Sequence, residues 1–149
     1  MEMLTTSLLK TSLMLYNGDY FFPLMHENEI SGAIVDAAFK IHTTLGPGLL
    51  ESVYEKVLAH ELTSRGFDVK IQTPIPVVYE GVKLDLGFRA DIIVNAKVVV
   101  EVKSVEAIAP VHPKQLRTYL KLMDRRLGLL INFNVDLIKQ GIHRVVNNL

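Results

Sequence analysis

Residues 88–103, FRADIIVNAKVVVEVK, decide how the chain is read. Phe88, Ala90, Ile92 and Val94 alternate with Arg89, Asp91 and Ile93, and Val98, Val100 and Val102 alternate with Val99, Glu101 and Lys103, which predicts two short strands with a turn at Asn95 and Ala96. Residues two apart on a strand share a face, so Glu101 and Lys103 emerge together on the side opposite the valines at 98, 100 and 102. If Ala90, Ile92 and Val94 share a buried face with those valines, Asp91 lies beside Glu101 and Lys103. A loop of residues 95 and 96 alone would pair Val94 with Lys97 and set Asp91 opposite Val100. The parity therefore demands a three-residue loop or a bulge.

The rest of the composition frames that patch. The chain has 149 residues, is 49% hydrophobic and balances 16 basic against 16 acidic side chains, which predicts one globular domain without a global attraction to nucleic acid. Any nucleic-acid binding must then be local. The chain contains no cysteine, which removes disulfides and thiolate metal sites and suits a reducing cytoplasm. Residues 1–24 are apolar, but Glu2 stands where a secretion signal would be basic, and Lys10 and several Ser and Thr interrupt the run before it approaches the ~18 residues of a membrane span. The expectation is a poorly specified extension over 1–24, a single domain over 25–149, a cytoplasmic location and no membrane partner.

Along the chain, Ile30, Ile34, Ala37, Ala38, Ile41 and Leu45 recur at helical spacing, with Asn28 as the expected N-cap and Gly46, Pro47 and Gly48 as the stop. A second helix is predicted over 49–65, with Leu50, Val53, Val57, Leu58 and Leu62 as its apolar stripe. Residues 68–79 read as a strand broken by Pro74 and Pro76, which suits an edge. A third helix is predicted over 114–127, then a strand over 128–133 and a final edge strand within 138–146. The order predicts an α/β (α+β) fold, a mixed central β-sheet flanked by helices.

Carboxylates grouped on a strand pair suit a hard divalent cation such as Mg2+, and an ion held there binds a phosphate oxygen and acidifies its water. Lys103 beside it would orient or deprotonate the attacking water and offset charge in the transition state. An acid, any residue and a lysine also occur on ordinary solvated strands, so Glu101-Val102-Lys103 alone identifies nothing. Arg89, on the face of Asp91, would contact phosphate or pair with the acids. His112, near Lys114, reads as an exposed loop histidine, and the spacing of the other histidines provides no zinc site.

More specific is GLLESVY at 48–54, in which a helix starts after a glycine and carries Glu51 and Tyr54 on one side. On these residues the chain resembles the GxxExxY proteins, a group within the PD-(D/E)XK nuclease superfamily, from about Glu27 onward. The resemblance implies a restriction-endonuclease-like core. It implies Asp91 and Glu101 as the acids of the motif, Lys103 as its lysine and Glu51 as a helical acid that joins the metal site. Gln115 and Tyr119 match a QxxxY element similar to that of RecB-like nucleases. Ala90 stands where the superfamily pattern has proline, a change of backbone geometry rather than of chemistry. The implied activity is hydrolysis of nucleic-acid phosphodiester bonds, DNA ahead of RNA, with Mg2+ or Mn2+ held by Asp91, Glu101 and Glu51. Tyr54, Arg89 and Lys114 are then substrate-binding candidates, Tyr54 standing equally well as a core residue, and a homo-oligomer is compatible with this reading. The rivals are a non-catalytic nucleic-acid or protein-binding module that retains the fold, and a structural subunit.

Overall fold

The structure, a computed structural model, describes residues 14–17, 20–23 and 25–149. The expectation for the extension falls outside them except at β1 (Met14–Asn17) and β2 (Tyr20–Pro23), which pair antiparallel. Next come α1 (Glu27–Leu45), α2 (Glu51–Ser64), β3 (Val69–Pro74), β4 (Val77–Tyr79), β5 (Val82–Leu84), β6 (Arg89–Val94) and β7 (Val98–Lys103). The chain ends with α3 (Val111–Met123), β8 (Leu127–Asn132), the single turn α4 (Ile138–Gly141) and β9 (Ile142–Val146).

The central sheet has five strands in the order β3-β6-β7-β8-β9. Only the β7–β8 pair is parallel, because α3 carries the chain back across the sheet between them; the other neighbours are antiparallel. The sheet is thus mixed and flanked by helices, as the pattern predicted. On one face, Ile92, Val94, Val98, Val100 and Val102 pack with Ile30, Ile34, Ala37 and Ala38 of α1 and Tyr54, Leu58 and Leu62 of α2. On the other, Ile93, Val99 and Leu130 pack with Leu116, Tyr119 and Leu120 of α3. Both faces of β7 and β8 are covered, which accounts for their nearly unbroken apolar runs.

The β6–β7 loop has three residues. Val94 pairs with Val98, Ile93 with Val99 and Ile92 with Val100, which leaves Asn95, Ala96 and Lys97 to make the turn. Asn95 and Ala96 take φ of 50° and 55°, and the Lys97 amide donates to the Val94 carbonyl at 3.0 Å. The same register sets Asp91 opposite Glu101. Ala90 departs from the expected parity: it packs with Ile75 and Ile93 in the α3-side cluster, because β6 is distorted at Asp91.

Several boundaries differ from the sequence reading. The cap of α1 is His26 rather than Asn28: its Nδ1 accepts from the Asn28 amide at 3.0 Å, and the Glu29 carboxylate accepts from the His26 amide in return. Leu50 and Val53 are exposed, and Tyr54 takes the buried position of the α2 stripe. Helix α3 begins earlier, at Val111, since Pro113 in its first turn needs no amide partner. The stretch before β6 is divided: β3 joins the sheet edge, whereas β4 and β5 form a separate hairpin. Among the described residues, no helix is long and apolar enough to cross a membrane.

Gly141 shows how tightly the end of β8 is enclosed, because a Cβ there would collide with the carbonyl oxygen of Asn132. Both partners are backbone, so neither gives way cheaply. Gly141→Ala is expected to cost about 1–3 kcal/mol, as over-packing does elsewhere. Urea unfolding checks this, and an unchanged midpoint would contradict the close approach.

Candidate active site

The pairing of β6 is broken on both sides at Asp91. Toward β7, the ladder ends at Ile92 and Val100; toward β3, the pairs run Ile71 with Ile92 and Thr73 with Ala90, and the pair between Gln72 and Asp91 is missing. Carboxylates fill the gap. The Asp91 amide donates to Glu101 Oε1 at 3.3 Å, and Asp91 Oδ2 accepts from the Val102 amide at 2.9 Å. Each acid thus satisfies a backbone donor that a regular ladder would have used, and this holds the two side chains together.

Burial pushes the Glu101 carboxyl up to about 8, and the adjacent Asp91 charge pushes in the same direction. A protonated Glu101 donates to the Asp91 carboxylate, so near neutral pH the pair shares a proton. The Lys103 ammonium opposes the shift, which agrees with its place on the face of Glu101. Beside the pair stands Tyr119, buried on α3, whose hydroxyl accepts from Gln115 Nε2 at 2.8 Å and whose pKa is raised by burial and by the charge of Glu101. Phe88 tilts against the Tyr119 ring at 6.1 Å. Asp91, Glu101, Lys103, Gln115 and Tyr119 are therefore brought to one side of the sheet.

Glu51 occupies the first turn of α2, where its carboxylate accepts from the Ser104 amide at 3.3 Å. Among the described residues, no three His, Cys, Asp or Glu side chains lie close enough to share a metal ion. Asp91 and Glu101 form the close pair, and Glu51 is bonded to the Ser104 amide on the α2 side. Arg89 is exposed and donates to the Gln72 carbonyl at 3.3 Å, and Lys114 is exposed at the start of α3. His112 is half-buried in the first turn of α3, and its Nδ1 accepts from the Ala109 amide at 3.2 Å.

Of the two readings of Tyr54, its surroundings fit the core one. Its side chain is fully buried, its ring stacks on Phe133 at 4.5 Å, and its hydroxyl donates to the Gly46 carbonyl while accepting from the Leu49 amide at 3.2 Å. No surface is left for substrate. Tyr54 instead fastens the loop before α2 from below, and Gly48 in that loop takes φ of 98°, a conformation that costs glycine little. From above, the Ser104 hydroxyl donates to the Leu49 carbonyl. The glycine, glutamate and tyrosine spacing is thus a device that sets the start of α2 against the end of β7. An open cleft runs here between Leu49, Glu51, Ser104 and Asn134.

Three contributors escaped the sequence reading. Glu55, one turn beyond Glu51, accepts from Gln72 Nε2 at 2.7 Å, and its pKa is raised chiefly by burial, with Asp91 and Glu51 adding to the effect. Its i,i+4 spacing from Glu51 was the available signal. Gln72 also reaches Asp91 Oδ1 at 3.4 Å. Buried Asn132 accepts from the Val105 amide at 3.1 Å and donates to its carbonyl at 2.9 Å, which fixes the chain just after Lys103. Neither of the last two carried a sequence signal.

Two outcomes follow from this geometry. Glu101 binds its proton more tightly in the folded chain than in the unfolded chain, so its contribution to stability is complete below its ordinary value near 4.5 and is lost as pH rises through about 8. Glu55, also raised, adds a loss of the same sign. Metal-free protein should therefore lose up to a few kcal/mol between about pH 5 and 8. Glu101→Gln should flatten the slope, and parallel melting curves for the two proteins across that range would contradict the shared proton. Tyr54→Phe, which deprives two loop backbone groups of their partner, should cost about 1–2 kcal/mol in chemical unfolding; a loss of substrate affinity at full stability would reinstate Tyr54 as a contact residue.

No curated protein and no solved structure matches the chain. The model of the PD-(D/E)XK nuclease superfamily matches residues 28–145, a span that runs from α1 into β9 and includes every residue of the acidic cluster. Members of that superfamily are typically nucleases and generally use divalent metals, and the five-stranded mixed sheet flanked by helices is consistent with their fold. By that match and that architecture, the chain belongs to the PD-(D/E)XK nuclease superfamily.

Proposed function

We propose that the chain is a metal-dependent phosphodiesterase of the GxxExxY group that hydrolyses nucleic-acid phosphodiester bonds in the cytoplasm, with DNA ahead of RNA as substrate. The observation that carries this reading is the Asp91–Glu101 pair, in which two carboxylates on neighbouring strands are held together by backbone amides of each other's strands beside a lysine of the same face. Two adjacent carboxylates are hard oxygen donors whose mutual repulsion a dication relieves, so the donor set fits Mg2+ or Mn2+. Asp91 and Glu101 would hold the ion, with Glu51 as the acid contributed by α2. When bound, it would supply Lewis-acid polarisation of a phosphate oxygen and a more acidic water.

The chain's own groups divide the remaining work. Lys103 stands beside Glu101, where it orients the attacking water as the ammonium or deprotonates it as the free amine, and in the ammonium form it balances the charge that develops on the phosphoryl oxygens. Gln115 and Tyr119 wall the acidic pair on the α3 side and lend it a hydroxyl and an amide. Arg89 and Lys114, both exposed, offer donors for flanking phosphates. The zero net charge of the chain makes such local cations the means of attraction.

The test is cleavage of a panel of single- and double-stranded DNA, RNA, flaps and branched structures with Mg2+ and with Mn2+. Lys103→Ala should lose on the order of 100-fold to 1000-fold in rate while still binding metal in calorimetry, and Asp91→Ala should lose both. Cleavage at equal speed by wild type and Lys103→Ala would remove Lys103 from the mechanism.

A further inference from the structure

Gln72 is exposed near the middle of β3, yet its φ is 48°. The other non-glycine residues with positive φ among the described residues, Glu80, Asn95, Ala96, Asp124 and Asn148, lie in turns, at a helix end or near the chain end; Gln72 lies inside a strand. Such backbone costs on the order of 1–3 kcal/mol and persists where its surroundings over-determine it. The consequence here is specific. The kink removes the backbone pair between Gln72 and Asp91 while the register on either side continues unchanged, so no residue has been inserted and the distortion serves this one position.

What the kink releases is used at once. The Gln72 side-chain amide donates to Glu55 Oε1 at 2.7 Å and reaches Asp91 Oδ1 at 3.4 Å, and the Gln72 backbone carbonyl accepts from Arg89 at 3.3 Å. One residue thereby links α2, β3 and β6 at the acid where the β3 ladder is interrupted and the β7 ladder ends. The short bond to Glu55 anchors the amide, and the longer one sets a donor against the Asp91 oxygen that Val102 does not occupy. Asp91 is thus oriented from two sides.

We propose that Gln72, anchored by Glu55, is a positioning residue for Asp91: the strained strand residue frees Asp91 from β3 and its amide turns the carboxylate toward Val102 and Glu101. The catalytic consequence rests on the phosphodiesterase reading, whereas the orienting role concerns the metal-free chain and stands apart from it. Gln72 takes no part in proton transfer and holds no ion. Its neighbour Glu55 acts as the anchor that keeps the amide from swinging into solvent.

Two variants separate the side chain from the strain. Gln72→Gly keeps the backbone conformation without its cost and deletes the amide; Gln72→Ala deletes the amide and keeps the strain. The first readout is amide hydrogen exchange at Val102 in metal-free protein, since that amide is held by the Asp91 carboxylate. Both variants should exchange there about tenfold faster than wild type, with Val100 unchanged, and Gln72→Gly should be at least as stable as wild type. The second readout is Mn2+ binding by calorimetry, where both variants should bind about 10-fold to 100-fold more weakly, the loss typical when an orienting partner of a ligand is removed. Glu55→Gln should produce a smaller change of the same kind. Unaltered Val102 exchange in Gln72→Gly overturns the proposal whatever the metal does. Wild type that binds no Mn2+ sinks the phosphodiesterase reading instead, and the exchange measurement still decides the role of Gln72.

Discussion

Two carboxylates standing in for a missing rung of a β-ladder are the constraint on which the site depends. A sheet strand in the interior of a sheet normally spends its amides and carbonyls on its neighbours, and unpaired groups there are costly. At Asp91, the strand loses regular pairing on both sides. The Asp91 amide turns to the Glu101 side chain and the Val102 amide to the Asp91 side chain. Backbone satisfaction and the gathering of like charges are therefore one event: the acids stay together because each serves the other strand, and the proton held by Glu101 offsets their repulsion.

The surroundings keep that arrangement from relaxing. Val102 and Val100 are clamped from below by the α1 and α2 side of the core, and Val99 from above by α3. The strand end beyond Lys103 is tied down twice, by Asn132 to Val105 and by Ser104 to the loop before α2. That loop in turn is closed over the Tyr54 hydroxyl, which is buried against Phe133. A tyrosine with no access to substrate thus controls where Glu51 stands, which is why its spacing from Gly48 and Glu51 matters. The functional content of such a motif lies in loop geometry as much as in the acid it carries.

The separate hairpin of β4 and β5 contrasts with this order. It leaves the sheet where β3 ends and returns where β6 begins, and Val78, Tyr79, Val82, Leu84 and Leu86 are exposed along it. Pro74 and Pro76 explain the departure, since neither can donate to a continuing ladder. The pair between Pro74 and Arg89 is the last of the main sheet at that end. The acidic pair is therefore framed by a rigid sheet interior on one side and by an independent two-stranded excursion on the other.

Period and parity carried far in the sequence alone. The alternation around residues 88–103 required a three-residue loop or a bulge, of which the chain forms the loop, and set Asp91 on the side of Glu101 and Lys103, because a strand's faces repeat every two residues regardless of context. Helical spacing predicted α1, α2 and α3 to within a few residues, and the QxxxY spacing set Gln115 and Tyr119 on one face of α3, where they bond. Contacts between segments distant in the chain had no such local rule. Whether Tyr54 faced core or cleft depended on Phe133, and where Glu51 found a backbone donor depended on Ser104. The place of Ala90 and the reach of Gln72 depended on how β3 meets β6. Sequence determined which residues shared a face, since that follows from backbone geometry; only the tertiary structure decided which faces met, since that follows from competition among distant donors, acceptors and apolar surfaces for the same space.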